Sequence, residues 1–156
     1  GAFIPDANST LRFTYGYVKG YQPQDAITMS PFTTINGIYA KAATGESDYY
    51  LPENIIQQMK QTEPADVLKH PKKNTVVVGF LYNMDTTGGN SGSPVMNGKG
   101  ELIGLNFDRA FTATINDYAW NESYSRSIGV DIRYILYVMK YLGGADDLLK
   151  QMNVTL

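Results

Sequence analysis

Between residues 75 and 107 the sequence leaves little choice about what the chain can become. Residues 75–82 (TVVVGFLY) form a run of β-branched and aromatic side chains with the length and composition of a strand. After a short connection comes Gly88-Gly89-Asn90-Ser91-Gly92-Ser93-Pro94-Val95. Three glycines and a proline in eight residues suit neither a helix nor a strand interior, so this is a turn. Pro94-Val95-Met96 and residues 101–107 (ELIGLNF) are again strand-like, with Asn97-Gly98-Lys99-Gly100 between them as a hairpin signal. The spacing predicts strand, serine-bearing glycine turn, short strand, hairpin, strand.

That turn has the chemistry of a nucleophile. A serine attacking a carbonyl must stand on a tight exposed bend, with backbone N–H groups beside it to receive the oxyanion. Glycine at 89 and 92 opens backbone conformations closed to other residues. Ser91 is therefore the candidate nucleophile, and the Gly89 and Ser91 amides are the candidate oxyanion hole. The competing reading is an ordinary loop, and the flanking strands favour the nucleophile. In the double-barrel arrangement that uses such a turn, His and Asp precede Ser in the chain. The sole histidine is His70, in the polar, proline-broken stretch Lys69-His70-Pro71-Lys72-Lys73. It reads as a solvated loop residue, so the general base is expected to be absent from this chain. Asp85, six residues before Ser91, stands where a basic-selective pocket would carry its carboxylate, and it reads as structural.

At 156 residues, with 43% hydrophobic side chains, the chain is expected to form one domain with a sizeable core and no internal repeat. A net charge of −2 and a pI near 5.3 make no electrostatic case for nucleic acid or an anionic membrane. No apolar stretch approaches the roughly 20 residues that span a bilayer. The absence of cysteine excludes a disulfide framework and a thiol nucleophile. The chain opens on Gly1 without an initiator methionine or a basic-then-apolar leader, and is expected to be a piece of something longer.

Elsewhere the patterns are weaker. Residues 1–10 are turn-rich. Residues 11–21 (LRFTYGYVKGY) alternate with period two and predict a half-buried strand, with a turn at Gln22-Pro23-Gln24-Asp25. Residues 26–34 and 35–41 give two further strand candidates, and Asn36-Gly37 is either a hairpin or an ordinary loop. Residues 51–60 change period and predict a short helix, with Pro52 in its first turn. Residues 112–125 read as a loop in which Trp120 packs rather than binds. Residues 125–130 read as the last strand, Asp131 as a cap for a helix over 132–142 ended by Gly143-Gly144, and residues 145–152 as a final helical turn or two.

In residues 86–95 (TTGGNSGSPV), 101–109 (ELIGLNFDR) and 125–134 (SRSIGVDIRY), and upstream in PDANSTLR at 5–12 with Tyr15-Gly16, the sequence resembles the bacterial dipeptidyl-peptidase 7/11 family of serine exopeptidases. The resemblance covers nearly the whole chain. It implies a mostly β fold, the second, C-terminal β-barrel of a chymotrypsin-like double barrel, with one short internal helix and a C-terminal helix. The first barrel and an inserted helical domain would lie outside residues 1–156. It also implies Ser91 as nucleophile with the Gly89 amide in the oxyanion hole, and Asp108 as the group that helps bind the substrate's α-amino group. Arg109 falls where the two branches of the family differ, glycine accompanying apolar and arginine accompanying acidic P1 residues, so the resemblance is to the acidic-specific branch. The family's catalytic His and Asp, and its Asn and Trp of the amine site, have no counterpart here, so the isolated chain is expected to be inactive. Peptides with a free N-terminus, the rest of the peptidase chain and a second copy of the intact enzyme are the implied partners, with no cofactor, metal, nucleic acid or membrane. The implied location is the periplasm or surface of a Gram-negative bacterium. Two other readings stay open: a staphylococcal-type glutamyl endopeptidase, which shares the serine motif and the acidic preference, and a non-catalytic barrel or interaction module.

Overall fold

The computed structural model describes residues 11–110 and 121–156. The expectations for residues 1–10 and for Trp120 lie outside these. The elements are β1 (Tyr21–Gln24), β2 (Ile27–Met29), β3 (Phe32–Thr34), α1 (Ile35–Ala42), α2 (Glu53–Gln61), β4 (Val77–Tyr82), β5 (Pro94–Met96), β6 (Leu102–Arg109), β7 (Ser127–Asp131), α3 (Ile132–Tyr137), which widens into a π-helical stretch at Val138–Leu142, and α4 (Asp146–Gln151). β1 and β2 form an antiparallel hairpin, and the other strands form a five-stranded sheet in the order β3-β4-β7-β6-β5. The chain divides into two compact units, Gly1–Phe32 with Gly79–Asp131, and Thr33–Val78 with Ile132–Leu156.

The first unit carries the serine turn. β4 pairs antiparallel with β7, β7 with β6, and β6 with β5. Its core is built on Phe80, Tyr82 and Val95, with Phe32, Met84 and Ile103 packed around them. The Phe80 and Tyr82 rings lie 5.2 Å apart, and the sheet is stripped of side chains to admit them. A Cβ on Gly104 would stand 2.6 Å from the Phe80 ring and would also collide with the Val130 carbonyl, and one on Gly129 would stand 3.0 Å from both rings. These glycines are spacers for aromatic packing. Arg126, 1% exposed, places its guanidinium on main-chain carbonyls. Nε donates to Lys19 and Gly20, Nη2 to Gly20, and Nη1 to Glu122 and Ser125. Burial lowers its pKa, a cost these charge-assisted bonds offset.

Two strand expectations are overturned. Residues 11–20 do not form a half-buried strand. Only a local register is made, through the Val18–Tyr82 bridge, Lys19 N to Leu81 O and Asn83 N to Tyr17 O, while Leu11, Phe13, Tyr15 and Tyr17 are exposed. The alternation is there in sequence, but among the described residues no layer of this unit covers its apolar side. The turn expected at 22–25 falls instead at Asp25-Ala26, after β1, with Ala26 at φ 62°.

In the second unit, residues 35–41 are helical, not extended. Ile35, Ile38 and Tyr39 recur at helical spacing and pack with Met59, Leu68, Val76 and Tyr137. That burial outweighs the hairpin preference of Asn36-Gly37, which lies in the first turn of α1. Helix and hairpin predict opposite results for Gly37→Ala. A Cβ at Gly37 meets nothing within 4 Å, so the helix should gain about 0.5–1 kcal/mol, whereas a hairpin glycine with positive φ would lose stability. Denaturant titration of the two proteins measures the sign. The helices expected over 51–60, 132–142 and 145–152 correspond to α2, α3 with its π-helical continuation, and α4. The helix that the sequence did not predict is α1.

Candidate active site

The serine turn is assembled from three directions. β4 ends at Tyr82, and the chain is then pinned by Thr86 Oγ1 against Ser127 Oγ at 2.6 Å and by Ser127 Oγ donating to Met84 O at 2.8 Å. Next, Asn90 closes the bend on itself. Its Oδ1 accepts the Thr87 N–H at 2.8 Å, its own N–H reaches Thr87 O at 3.3 Å, and its carbonyl accepts the Ser93 N–H at 3.0 Å. Gly89 and Gly92 stand at φ 86° and 83°, in the left-handed region where any side chain is strained. Beyond the turn, Pro94 opens β5 at the sheet edge, where its missing N–H costs no ladder bond.

The third support is β6. Its pairing with β7 slips between Asn106 and Asp108, so Phe107 is the extra residue of a β-bulge. Bulges re-aim groups beside sites, and here the Phe107 carbonyl accepts from Ser91 Oγ at 3.3 Å. The bond is long, and Ser91 is exposed, so the hydroxyl is only loosely held. Among the described residues, neither the Gly89 nor the Ser91 amide donates a hydrogen bond. Both belong to exposed residues and can turn to an external oxygen. Asp108, exposed, accepts the Arg109 N–H on Oδ1 at 2.7 Å, and Arg109 is half-buried at the end of β6. Asp85 lies between β4 and the turn with its Oδ1 enclosed. The structure thus brings Ser91 against the bulge that Asp108 and Arg109 follow.

One contributor was not visible in the sequence. Asn106 is 6% exposed, and burying an unpaired amide costs roughly 1–3 kcal/mol. Its polar groups are matched. Tyr82 OH donates to Oδ1 at 2.5 Å, Nδ2 donates to Asn90 O at 3.2 Å, its N–H to Ser93 O at 2.9 Å, and its carbonyl accepts the Gly92 N–H at 2.7 Å.

His70 belongs to the second unit, in a tight turn whose Lys73 and Asn74 amides both reach its carbonyl. Its Nδ1 accepts the Lys72 N–H at 3.2 Å. In a triad that nitrogen would instead donate to a carboxylate, leaving Nε2 to take the serine proton. A hollow of about 410 Å³ also lies in this unit, lined by Lys140, Asp146, Leu149, Lys150 and four C-terminal residues. None of Ser91, Asp108 and Arg109 lines it. Among the described residues no group of three or more His, Cys, Asp or Glu side chains is placed to hold a metal ion, and no helix is long and apolar enough to cross a membrane.

A serine on a glycine turn, flanked by amides that donate no hydrogen bond among the described residues and backed by an antiparallel sheet, is an arrangement that serine-dependent peptidases use. The family model for Peptidase S46 matches residues 1–154, and the chain belongs to that family. It is 42% identical to an Asp/Glu-specific dipeptidyl-peptidase of Shewanella putrefaciens over 96% of its length and 23% of the relative's. It is 43% identical to the enzyme of that name from Porphyromonas gingivalis, over 97% of this chain and 21% of the relative. A Dipeptidyl-peptidase 7 of Capnocytophaga gingivalis is 41% identical over 96% of this chain and 21% of its own. The crystal structure of Porphyromonas endodontalis DPP11 in complex with the dipeptide Arg-Asp superposes with a TM-score of 0.84 at 37% identity, over 96% of this chain and 21% of that one. The chain therefore spans about a fifth of the length of the curated relatives it matches.

Proposed function

We propose that this chain is the nucleophile-bearing part of a serine exopeptidase that, as the full-length protein, removes dipeptides from free peptide N-termini with Asp or Glu preferred at P1. The observation that carries this is the bulge of β6, where the Phe107 carbonyl meets the Ser91 hydroxyl and Asp108 and Arg109 follow as the next two residues. Ser91 Oγ attacks the P1 carbonyl carbon while its proton passes to a general base. The oxyanion is taken by the Gly89 and Ser91 amides. Collapse of the tetrahedral intermediate expels the shortened peptide as an amine, the base returning the proton, and water then releases the dipeptide from Ser91 by the same steps reversed.

Asp108 holds the substrate's α-ammonium group, and Arg109 engages the P1 carboxylate through its planar fork of donors. Relatives named for Asp/Glu specificity, and a solved relative carrying Arg-Asp, support acidic P1 recognition. Dipeptidyl-peptidase 7 is similar to nearly the same degree, so branch specificity rests on few side chains, Arg109 first. His70 Nδ1 takes the Lys72 main-chain N–H, where a triad base would present Nδ1–H to a carboxylate. On this reading the base and its Asp come from a first barrel in the rest of the longer protein, beside an inserted helical domain, and the first unit described above is part of the second barrel of a chymotrypsin-like pair. A homodimeric intact enzyme and a place in the periplasm or at the surface of a Gram-negative bacterium are part of this proposal and rest on the family resemblance alone.

The test is hydrolysis of dipeptide reporters ending in Asp, Glu, Leu or Met by the full-length protein, with the N-terminus free or acetylated. Free, acidic reporters should be cleaved fastest, and equal cleavage of acetylated ones would return the endopeptidase reading. Asp108→Ala should lower kcat/KM for free-amine substrates by about 10- to 100-fold, the worth of one charge-assisted contact, and leave the slow acetylated reaction unchanged.

A further inference from the structure

The proposed mechanism asks for two amides in fixed directions, and the turn's own bonds aim the Ser91 amide only in part. The Ser91 N–H belongs to the same peptide group as the Asn90 carbonyl. Because that group is planar and trans, its N–H and C=O point in opposite directions, and fixing one fixes the other. The Asn90 carbonyl is held by the Ser93 N–H within the turn and, from outside it, by Asn106 Nδ2 at 3.2 Å.

Asn106 also takes the Gly92 N–H on its carbonyl and gives its own N–H to Ser93 O. Three of its four polar groups therefore land on Asn90, Gly92 and Ser93, on both sides of Ser91. The fourth, Oδ1, accepts the hydroxyl of Tyr82, 1% exposed on β4. With Oδ1 committed to a hydroxyl donor, the amide has one orientation, and Nδ2 must face the turn. Burial raises the pKa of Tyr82, so the hydroxyl keeps its proton and stays a donor across the working range of an enzyme. Among the described residues, neither is hydrogen-bonded to Ser91 Oγ.

We propose that Asn106, oriented by Tyr82, is a positioning residue that aims the Ser91 amide at the oxyanion, a role that rests on the function proposed above. The oxyanion exists only after attack, so losing the aim should appear in kcat and not in ground-state binding. In the full-length protein, Asn106→Leu, of similar volume but without donor or acceptor, should lower kcat about 10- to 100-fold with KM within about twofold. Tyr82→Phe keeps the ring and frees the amide to rotate. It should lower kcat about 3- to 10-fold, again with KM unchanged, and without changing the acidic P1 preference.

Both kcat values are taken per molecule of folded enzyme, with unfolding followed in parallel. A residue that merely supports the fold would lower the folded fraction and leave kcat per folded molecule alone, and that result overturns the proposal. If Asn106→Leu does not fold, Tyr82→Phe decides: unchanged kcat overturns the inference, and a kcat-only loss sustains it. Ser91→Ala is the control for the underlying reading. Should it retain turnover, the serine mechanism fails; should it lose turnover while both positioning variants keep full kcat, only the role of Asn106 fails.

Discussion

Ser91→Ala in the full-length enzyme is expected to lower kcat by at least about a thousandfold, and by as much as about a million-fold, while peptide binding changes by no more than a few-fold. The size of the loss follows from what the hydroxyl does, since without it no acyl-enzyme forms and only the oxyanion amides and substrate positioning are left. The fold gives no reason for a second effect. Ser91 is exposed, and its Oγ makes one long bond to the Phe107 carbonyl, so stability should move by no more than about 0.5 kcal/mol, as for other surface changes. Gly89 and Gly92, which set the turn at positive φ, are untouched. Steady-state kinetics, calorimetric titration with an acidic dipeptide and thermal unfolding separate the three quantities. Turnover above about a thousandth of wild type would exceed what the amides alone supply and would remove Ser91 from the mechanism.

The parts of this site that sequence reveals are those written in local backbone chemistry. Gly89, Gly92 and the Asn97-Gly98-Lys99-Gly100 hairpin announce themselves because each needs a conformation or side-chain bond that few residues supply. In the structure Asn97 closes its turn by accepting the Lys99 and Glu101 amides on Oδ1. Asn106 is hidden for the opposite reason. A period-two reading of LIGLNFDR turns Ile103, Leu105 and Phe107 inward and Asn106 to solvent. The structure buries Gly104 and Asn106 and leaves Phe107 53% exposed. The Phe80 and Tyr82 rings explain the inversion, because they occupy the inner face above Gly104 and Gly129, and Tyr82 supplies the partner that lets an amide be buried there.

The same distinction explains the errors elsewhere. The alternation of Phe13, Tyr15 and Tyr17 is a genuine strand pattern, but alternation describes a segment and not the layer it needs to cover it. Asn36-Gly37 is a genuine hairpin dipeptide, yet Ile35, Ile38 and Tyr39 bury against Met59, Leu68 and Tyr137 only as a helix. In both cases residues distant in sequence decide, and a local window does not contain them.

Arg109 is expected to set the P1 preference, because its removal leaves an acidic side chain desolvated and without a donor. Arg109→Ala should cost about 2–5 kcal/mol in kcat/KM for Asp or Glu at P1, and Leu or Met should lose little. The geometry favours a direct role. Arg109 is half-buried at the end of β6, paired with Ser127 across the ladder, and lies two residues beyond the Phe107 carbonyl that meets Ser91. A side chain in that place is held by a strand, and a positioned guanidinium discriminates better than one on a mobile loop. Its adjacent carboxylate does not cancel it, since Asp108 Oδ1 is turned to the Arg109 main-chain N–H. Arg109→Lys should recover only part of the acidic activity, because a point charge on a flexible stem cannot reproduce two parallel bonds. Matched reporters ending in Asp, Glu, Leu and Met, assayed with wild type and both variants, give the answer as a ratio, which is insensitive to differences in folded fraction. An acidic-to-apolar ratio that stays the same in Arg109→Ala would remove Arg109 from substrate recognition and leave acidic selection to other residues.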